Sequence, residues 1–308
     1  MDVVVEVERS GLVESRHRGV LAHVDAGGAV DWVVGDPETV IFPRSANKPI
    51  QVLAMLEAGL DLDGPELAIA TSSHHGEERQ LEIVQAILAR AGLDESALQT
   101  PPSWPDSPHE HARIIRAGGG KAPILMDCSG KHAAMLLTCV RRGWPTGDYL
   151  DPAHPLQQHI GEVFTRVTGA QPAVAGVDGC GAPLLATSVR RLALATGQIA
   201  AATTPQAARL VAAITAHPML VSGVRSLDHH FITALPGAIA KSAAESTMVV
   251  AWPDGSALVG KIEDGGVRAL TVAMARAVEL LGGPMALPEP RPAVLGGGRR
   301  VGEIRPAF

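Results

Sequence analysis

Aromatic side chains are scarce in this chain of 308 residues, 3% of the total with a single Tyr. Stacking platforms for single-stranded nucleic acid are therefore not expected. Basic residues are in deficit too: 26 Lys plus Arg face 32 Asp plus Glu, a formal net charge of −6. That balance argues against a phosphate-backbone partner. The three cysteines, Cys128, Cys139 and Cys180, are too few for a disulfide framework. No stretch reaches the roughly 20 uncharged apolar residues of a spanning helix, and the apolar run after Ala182 is broken by Arg190 and Arg191. The start, Met1-Asp2-Val3-Val4-Val5-Glu6, lacks a basic segment ahead of an apolar run. No signal peptide is expected, and the chain reads as cytoplasmic, without membrane or nucleic-acid partners.

What is present is the composition of a globular protein, 46% hydrophobic and 19% charged, at a length that suits one large domain or two small ones. No repeat or inter-domain linker stands out, so a single domain over 1–308 is expected. Short valine-rich segments at 2–8, 19–25 and 30–35 read as strands, with Gly27-Gly28 as a hairpin turn between the last two. A helix follows Ser45 and stops at Gly59, and a second covers 78–91. Prolines 101, 102, 105 and 108 mark a stiff loop, and Gly118-Gly119-Gly120 a flexible one. Helical patterns recur at 131–142, 156–168, 184–196 and 205–216. Strands return at 237–241, 248–252 and 256–262, before a last helix from Val267 to Leu281. The pattern predicts an α+β fold. Its antiparallel sheet would come from both chain ends, about 1–40 and 237–282, around a helical middle at about 45–215.

Five places could carry chemistry. In Arg44-Ser45-Ala46-Asn47-Lys48-Pro49, Ser and Lys three apart share one side of a turn. A desolvated lysine there can activate the hydroxyl as a nucleophile; an N-cap serine beside a surface lysine is the other reading. Pro49 makes a regular helix from Ser45 awkward, so the turn should be tight or irregular. Thr71-Ser72-Ser73-His74-His75-Gly76-Glu77 follows the apolar run 67–70 at what reads as a strand-to-helix junction. It offers hydroxyls, imidazoles and a carboxylate for proton transfer, or simply a helix cap built from Ser73 and Glu77.

Asp127-Cys128-Ser129-Gly130-Lys131-His132 opens a helix, with Cys128 in a polar turn near Lys131 and Cys139 on the apolar stripe as a core thiol. Val177-Asp178-Gly179-Cys180-Gly181-Ala182-Pro183 sets a second cysteine beside a carboxylate. By spacing alone Cys128 and Cys180 read as two free thiols rather than zinc ligands. Lys241 and Lys261, on the C-terminal strands, either point into a cleft or lie solvated on a sheet face.

Taken in order, these segments resemble the bacterial L-asparaginase II family of the inducible Rhizobium etli type, nearly end to end. The resemblance includes Glu8–Glu14, Arg44–Gln51, Ser73–Glu77, Cys128–His132, Val177–Pro183, Lys241, Lys261–Gly265 and Val301–Pro306. It implies a fold like serine β-lactamases and glutaminases and hydrolysis of L-asparagine to L-aspartate and ammonia. It implies Ser45 with Lys48 as one Ser–Lys pair and Ser73 with Lys241 as another. Asp178, Arg44 and His74 would serve substrate or support the pocket. It also implies zinc on Cys128, Lys131 and Cys180, no organic cofactor, and a homodimer. A glutaminase or other small-amide or β-lactam hydrolase would use the same Ser–Lys chemistry. A catalytically silent relative that binds an amino acid or zinc is the reading outside enzymes. The chain departs from the family pattern in three places. Lys241-Ser242-Ala243-Ala244-Glu245-Ser246 stands where Lys-x-Gly-Ala-Glu-Gly is usual, Asp127 stands for Asn, and His74-His75 supplies an extra imidazole.

Overall fold

The computed structural model describes residues 1–224, 226–284 and 292–308. The chain opens with β1 (Asp2–Arg9), β2 (Leu12–Val24) and β3 (Val30–Val34). A short β4 (Val40–Ile41) leads through a 3₁₀ turn at Arg44–Asn47 into α1 (Lys48–Glu57), α2 (Gly64–Ala70) and α3 (Glu78–Arg90). The middle continues with α4 (Pro108–Arg116), α5 (Ser129–Arg142) and α6 (Pro155–Thr168). Then come β5 (Ala175–Val177), β6 (Pro183–Leu185), β7 (Thr187–Ser188), α7 (Val189–Ala200), α8 (Pro205–Ala216), α9 (Pro218–Val221) and α10 (Leu227–Ala234). The last stretch holds β8 (Ile239–Ala243), β9 (Thr247–Ala251), β10 (Ala257–Ile262), α11 (Val267–Leu280), β11 (Ala293–Gly296) and β12 (Arg299–Pro306).

The architecture is α+β, as the element order predicts. An antiparallel sheet of eight strands runs β11-β12-β1-β2-β10-β9-β8, with β3 on β2. The two chain ends meet where β2 pairs β10 (Val20 opposite Lys261) and β1 pairs β12 (Val7 opposite Ile304). Between β2 and β3 the hairpin forms at the expected glycines, with Gly28 at φ +85° and its N–H on the Asp25 carbonyl. Helix α7 packs on β2, β9 and β10, and α11 on β1, β10 and β12. One cluster of buried apolar side chains extends from Val4 to Ile304.

Local chemistry explains the helix that leads to the site. Pro49 falls in the first turn of α1, where its missing N–H costs nothing, and the residues before it tighten into the 3₁₀ turn. The expected irregularity at Pro49 is therefore present. Other expectations need correction. The run 67–70 is the end of helix α2, not a strand; all four residues are buried, and a run buried on every face shows no period to tell helix from strand. The helix expected at 184–196 begins only at Val189, because Ser188 caps it through the Arg191 N–H and Pro183–Leu185 pairs with β5 instead. Within the proline-rich segment, Pro108 starts α4 behind the Ser107 cap. Strands β11 and β12, absent from the predicted elements, complete the sheet edge.

Candidate active site

A cavity of about 790 Å³ opens where the 3₁₀ turn, the segment after α2, the start of α5, the β5–β6 turn, α10 and β8 converge. Arg44, Ser45, Ser73, Cys128, Asp178 and Cys180 line it, which joins four of the five segments singled out from the sequence. Lys48 and Lys241 lie just beneath, each only 1% exposed, so neither is a solvated surface lysine.

Lys48 Nζ is 3.0 Å from Ser73 Oγ and also donates to the Ser72 carbonyl. The expected pairing of Lys48 is with Ser45, whereas the hydrogen bond in the structure runs to Ser73. Ser45 sits in the 3₁₀ turn and makes no capping bond, while the lysine stem at the start of α1 extends toward the end of α2. Ser73 is equally absent from helix capping: the capping box of α3 is built by Glu77 and Gln80. His74 is fully buried, with Nε2 2.7 Å from Ser129 Oγ and Nδ1 accepting the Gly76 N–H. Burial lowers its pKa to about 4, so the imidazole is neutral and holds loop to helix. Gly130 lets the start of α5 pack closely on the end of α2, since a Cβ there would stand 2.3 Å from the Ile69 carbonyl oxygen.

Lys241 is expected beside Ser73 but bonds elsewhere. Its Nζ lies 3.4 Å from Asp228 Oδ2 and 2.8 Å from the Ser242 carbonyl. Burial carries its pKa below the ordinary lysine value, and the Asp228 charge opposes this only in part. Asp228 is completely buried and also accepts from the Ser222 hydroxyl, the Ser242 hydroxyl (2.8 Å) and the Ser242 N–H. The sequence reading passed over it, because an acidic residue two positions after a capping serine, Ser226, looks like ordinary helix-start chemistry. Asp106 was passed over as well; it lines the cavity, and burial and the Asp127 charge raise its pKa. For Asp127 itself burial acts upward, but Lys48 leads the charges that carry the net shift below the ordinary value.

At the opposite wall Arg44 Nε meets Asp178 Oδ1 at 2.6 Å. Arg44 holds φ +50°, a left-handed conformation that costs a side-chain-bearing residue about 1 kcal/mol. Behind this pair, Cys128 and Cys180 form a buried cluster with Ala182, and Lys131 Nζ is 3.3 Å from Cys180 Sγ. The hydrogen bond from Cys128, reinforced by Lys131, pushes Cys180 far below the ordinary thiol value, while Cys128 moves up. Burial works to depress Lys131, yet the two sulfurs and Asp178 carry it above its ordinary value. Both directions favour an ammonium on Lys131 facing a thiolate on Cys180. Among the described residues no three His, Cys, Asp or Glu side chains group as a metal site; the donors gathered at this corner are the two thiols and the Lys131 amine. Two sulfurs and one amine suit zinc once that amine has lost its proton. His132, fully buried and interacting with Cys180, adds nitrogen character to the same corner. Cys139 is apart, a core thiol raised to about 12 by burial.

Comparison with family profiles matches L-asparaginase II over residues 5–306. The chain belongs to the L-asparaginase II family. It is thus a hydrolase of the asparagine side-chain amide class. No curated protein matches. Among solved structures it is similar to a β-lactamase from Mycobacterium bovis, at 15% identity and TM-score 0.49, covering 86% of this chain and 95% of that one. It is also similar to Mglu in its native form, at 15% identity and TM-score 0.47, covering 90% and 68%. Within this L-asparaginase II member, the departures at 243 and 246 have different outcomes. Ala243 lies in β8 without a positive φ, whereas Ser246 takes φ +50° after Glu245 at +58°. Ser246 Oγ then donates to the Gly265 carbonyl at 2.7 Å. Lys261 caps the same turn through the Glu245 carbonyl.

Proposed function

We propose that this cavity hydrolyses L-asparagine to L-aspartate and ammonia by serine–lysine chemistry. The observation that carries the reading is the 3.0 Å contact between Lys48 Nζ and Ser73 Oγ at the cavity floor. One Nζ hydrogen of Lys48 goes to the Ser72 carbonyl, and an amine at that place without its extra proton has a lone pair to take the one on Ser73. Ser73 Oγ attacks the carboxamide carbon as Lys48 takes that proton. Collapse of the tetrahedral intermediate returns it to the departing nitrogen, which leaves as ammonia. Water, deprotonated by Lys48, then cleaves the acyl-serine ester and releases aspartate. Ser45 faces the same space as a second hydroxyl. Arg44 would hold the substrate α-carboxylate and Asp178 its α-ammonium group, while His74 fixes the loop that bears Ser73.

Cys128, Cys180 and Lys131 would hold zinc, which supplies a fixed positive charge that shapes the thiol end of the pocket. Three unpaired buried thiols suit a reducing compartment such as the cytoplasm. The family likeness supports a homodimer, which light scattering on the eluted protein tests.

The deciding experiment is ammonia release from L-asparagine and L-glutamine by the wild type, Ser73→Ala and Ser45→Ala, with mass spectrometry of acid-quenched enzyme. Asparagine turnover should exceed glutamine turnover, and Ser73→Ala should lose about 10³-fold in kcat. The acyl adduct should map to residue 73. An adduct on Ser45 reassigns the attack and leaves Ser73 as proton relay; no turnover of either amide by folded protein removes the hydrolase reading of this site.

A further inference from the structure

The two buried lysines under the cavity face neighbours of opposite kinds. Lys48 touches one acceptor, the Ser72 carbonyl, and one hydroxyl that can give up a proton. Among the described residues Lys241 bonds to two acceptors, Asp228 Oδ2 and the Ser242 carbonyl. An amine between two acceptors has no proton to take and keeps its own. Asp228 in turn is fixed by three donors besides the lysine: the Ser222 hydroxyl, the Ser242 hydroxyl and the Ser242 N–H. Asp228, Ser222 and Ser242 line the cavity, and Lys241 lies behind them.

We propose that Asp228 is the positioning residue that holds Lys241 as an ammonium beneath the cavity, so that the two lysines divide the work, Lys48 moving protons and Lys241 supplying fixed charge. Ser242 fastens the arrangement: its N–H and hydroxyl bind both oxygens of Asp228 while its carbonyl takes a proton of Lys241. The charge is worth most when the amide oxygen becomes an oxyanion, because a buried cation fixed before the reaction needs no reorganisation as negative charge develops. Other titratable groups facing Lys241 are Lys48, which opposes its charge whenever it carries the proton taken from Ser73, and Asp127, which supports it. This role rests on the amidohydrolase reading above, but the Asp228–Lys241 pair itself does not.

The test is a pH profile joined to a stability cycle on the full chain. Asp228→Asn keeps the shape and removes the charge, so the alkaline limb of kcat/KM for asparagine should move to lower pH by about one unit or more. The loss of activity should accordingly be greater at pH 9 than at pH 7. A purely structural role would lower activity by the same factor at every pH, and that result overturns the assignment. Ser242→Ala, which leaves the carboxylate in place, should move the limb in the same direction by less; an unmoved limb in both variants also overturns it. In parallel, Asp228→Asn, Lys241→Met and the double variant are compared by thermal unfolding. Each single change strands a buried group, so the double variant should melt above the worse single one. That readout holds even if wild-type protein releases no ammonia: strictly additive losses of Tm would deny the pair, whatever the substrate.

Discussion

The cavity has a hydroxyl end and a thiol end, and each is built around a buried lysine within 3.3 Å of its partner atom. At the hydroxyl end Lys48 meets Ser73, a group that stays neutral until a base removes its proton. At the thiol end Lys131 meets Cys180, whose proton is lost far more readily, so ammonium and thiolate stabilise each other and neither is available as a base. The same side chain is thus set to transfer a proton in one place and to lock a charge, or receive a metal, in the other. Acidity of the partner decides which.

The largest effect expected from breaking this contrast is on turnover. Lys48→Met should reduce kcat for asparagine by about 10³-fold, the scale of a lost general base, with folding checked by circular dichroism. Lys131→Met should keep kcat within about tenfold of wild type, since no proton transfer is assigned to it. Equal losses in the two variants would mean that the ends act as one unit. Metal binding sharpens the contrast from the other side. Cys180→Ser should weaken zinc binding by about a hundredfold or more, and Ser73→Ala should leave it unchanged, both measured by calorimetry. Comparable weakening in both variants would place the metal nearer the serine than the thiols.

Much of this arrangement is legible in the sequence at the level of segments and little of it at the level of contacts. Valine-rich ends, the Gly27-Gly28 hairpin and the irregular turn at Pro49 follow from local backbone chemistry, and the structure contains all three. Arg44–Pro49, the segment around Ser73, Cys128–His132 and Val177–Pro183 announce themselves by composition, and they do converge on one cavity. What a four-carbon side chain touches is another matter. The Ser45-x-x-Lys48 spacing fixes only that two residues share a turn; that Lys48 reaches Ser73 depends on where α2 ends. Likewise the Lys241 ammonium is held by a residue 13 positions earlier, on α10, and nothing local marks Asp228 as more than a helix-start acid. The fully buried segment 67–70 shows the same limit for secondary structure.

A smaller effect concerns His74, which separates the two ends by tying the Ser73 loop to Ser129 at the start of α5. Its folded pKa is about 4 against an ordinary 6.5. Between those values the unfolded chain binds a proton that the folded one refuses, so stability falls as pH drops from 6.5 towards 4. The full difference is on the order of 3 kcal/mol. In His74→Gln that contribution to the slope should vanish, whatever the variant's stability at neutral pH. Urea unfolding at pH 7.0, 6.0 and 5.0 measures it, and an unchanged slope would show that the imidazole takes up its proton as readily in the fold as in the unfolded chain.

The smallest effect lies in the turn behind Lys241, at the departure from the family's glycine. Ser246 pays for its left-handed backbone with a side chain that glycine lacks, the hydroxyl that binds the Gly265 carbonyl. Ser246→Ala keeps the strained φ and loses that hydrogen bond, which should cost about 1 kcal/mol. Ser246→Gly loses the same bond but relieves about 1 kcal/mol of strain, offset in part by the greater freedom of glycine in the unfolded chain. The glycine variant should therefore melt above the alanine variant, close to wild type. The opposite order would mean that the backbone at 246 tolerates a Cβ without strain and that the hydroxyl alone selects serine there. In that case the loss of the family's glycine costs the turn nothing, and what serine adds there is the hydrogen bond to the Gly265 carbonyl.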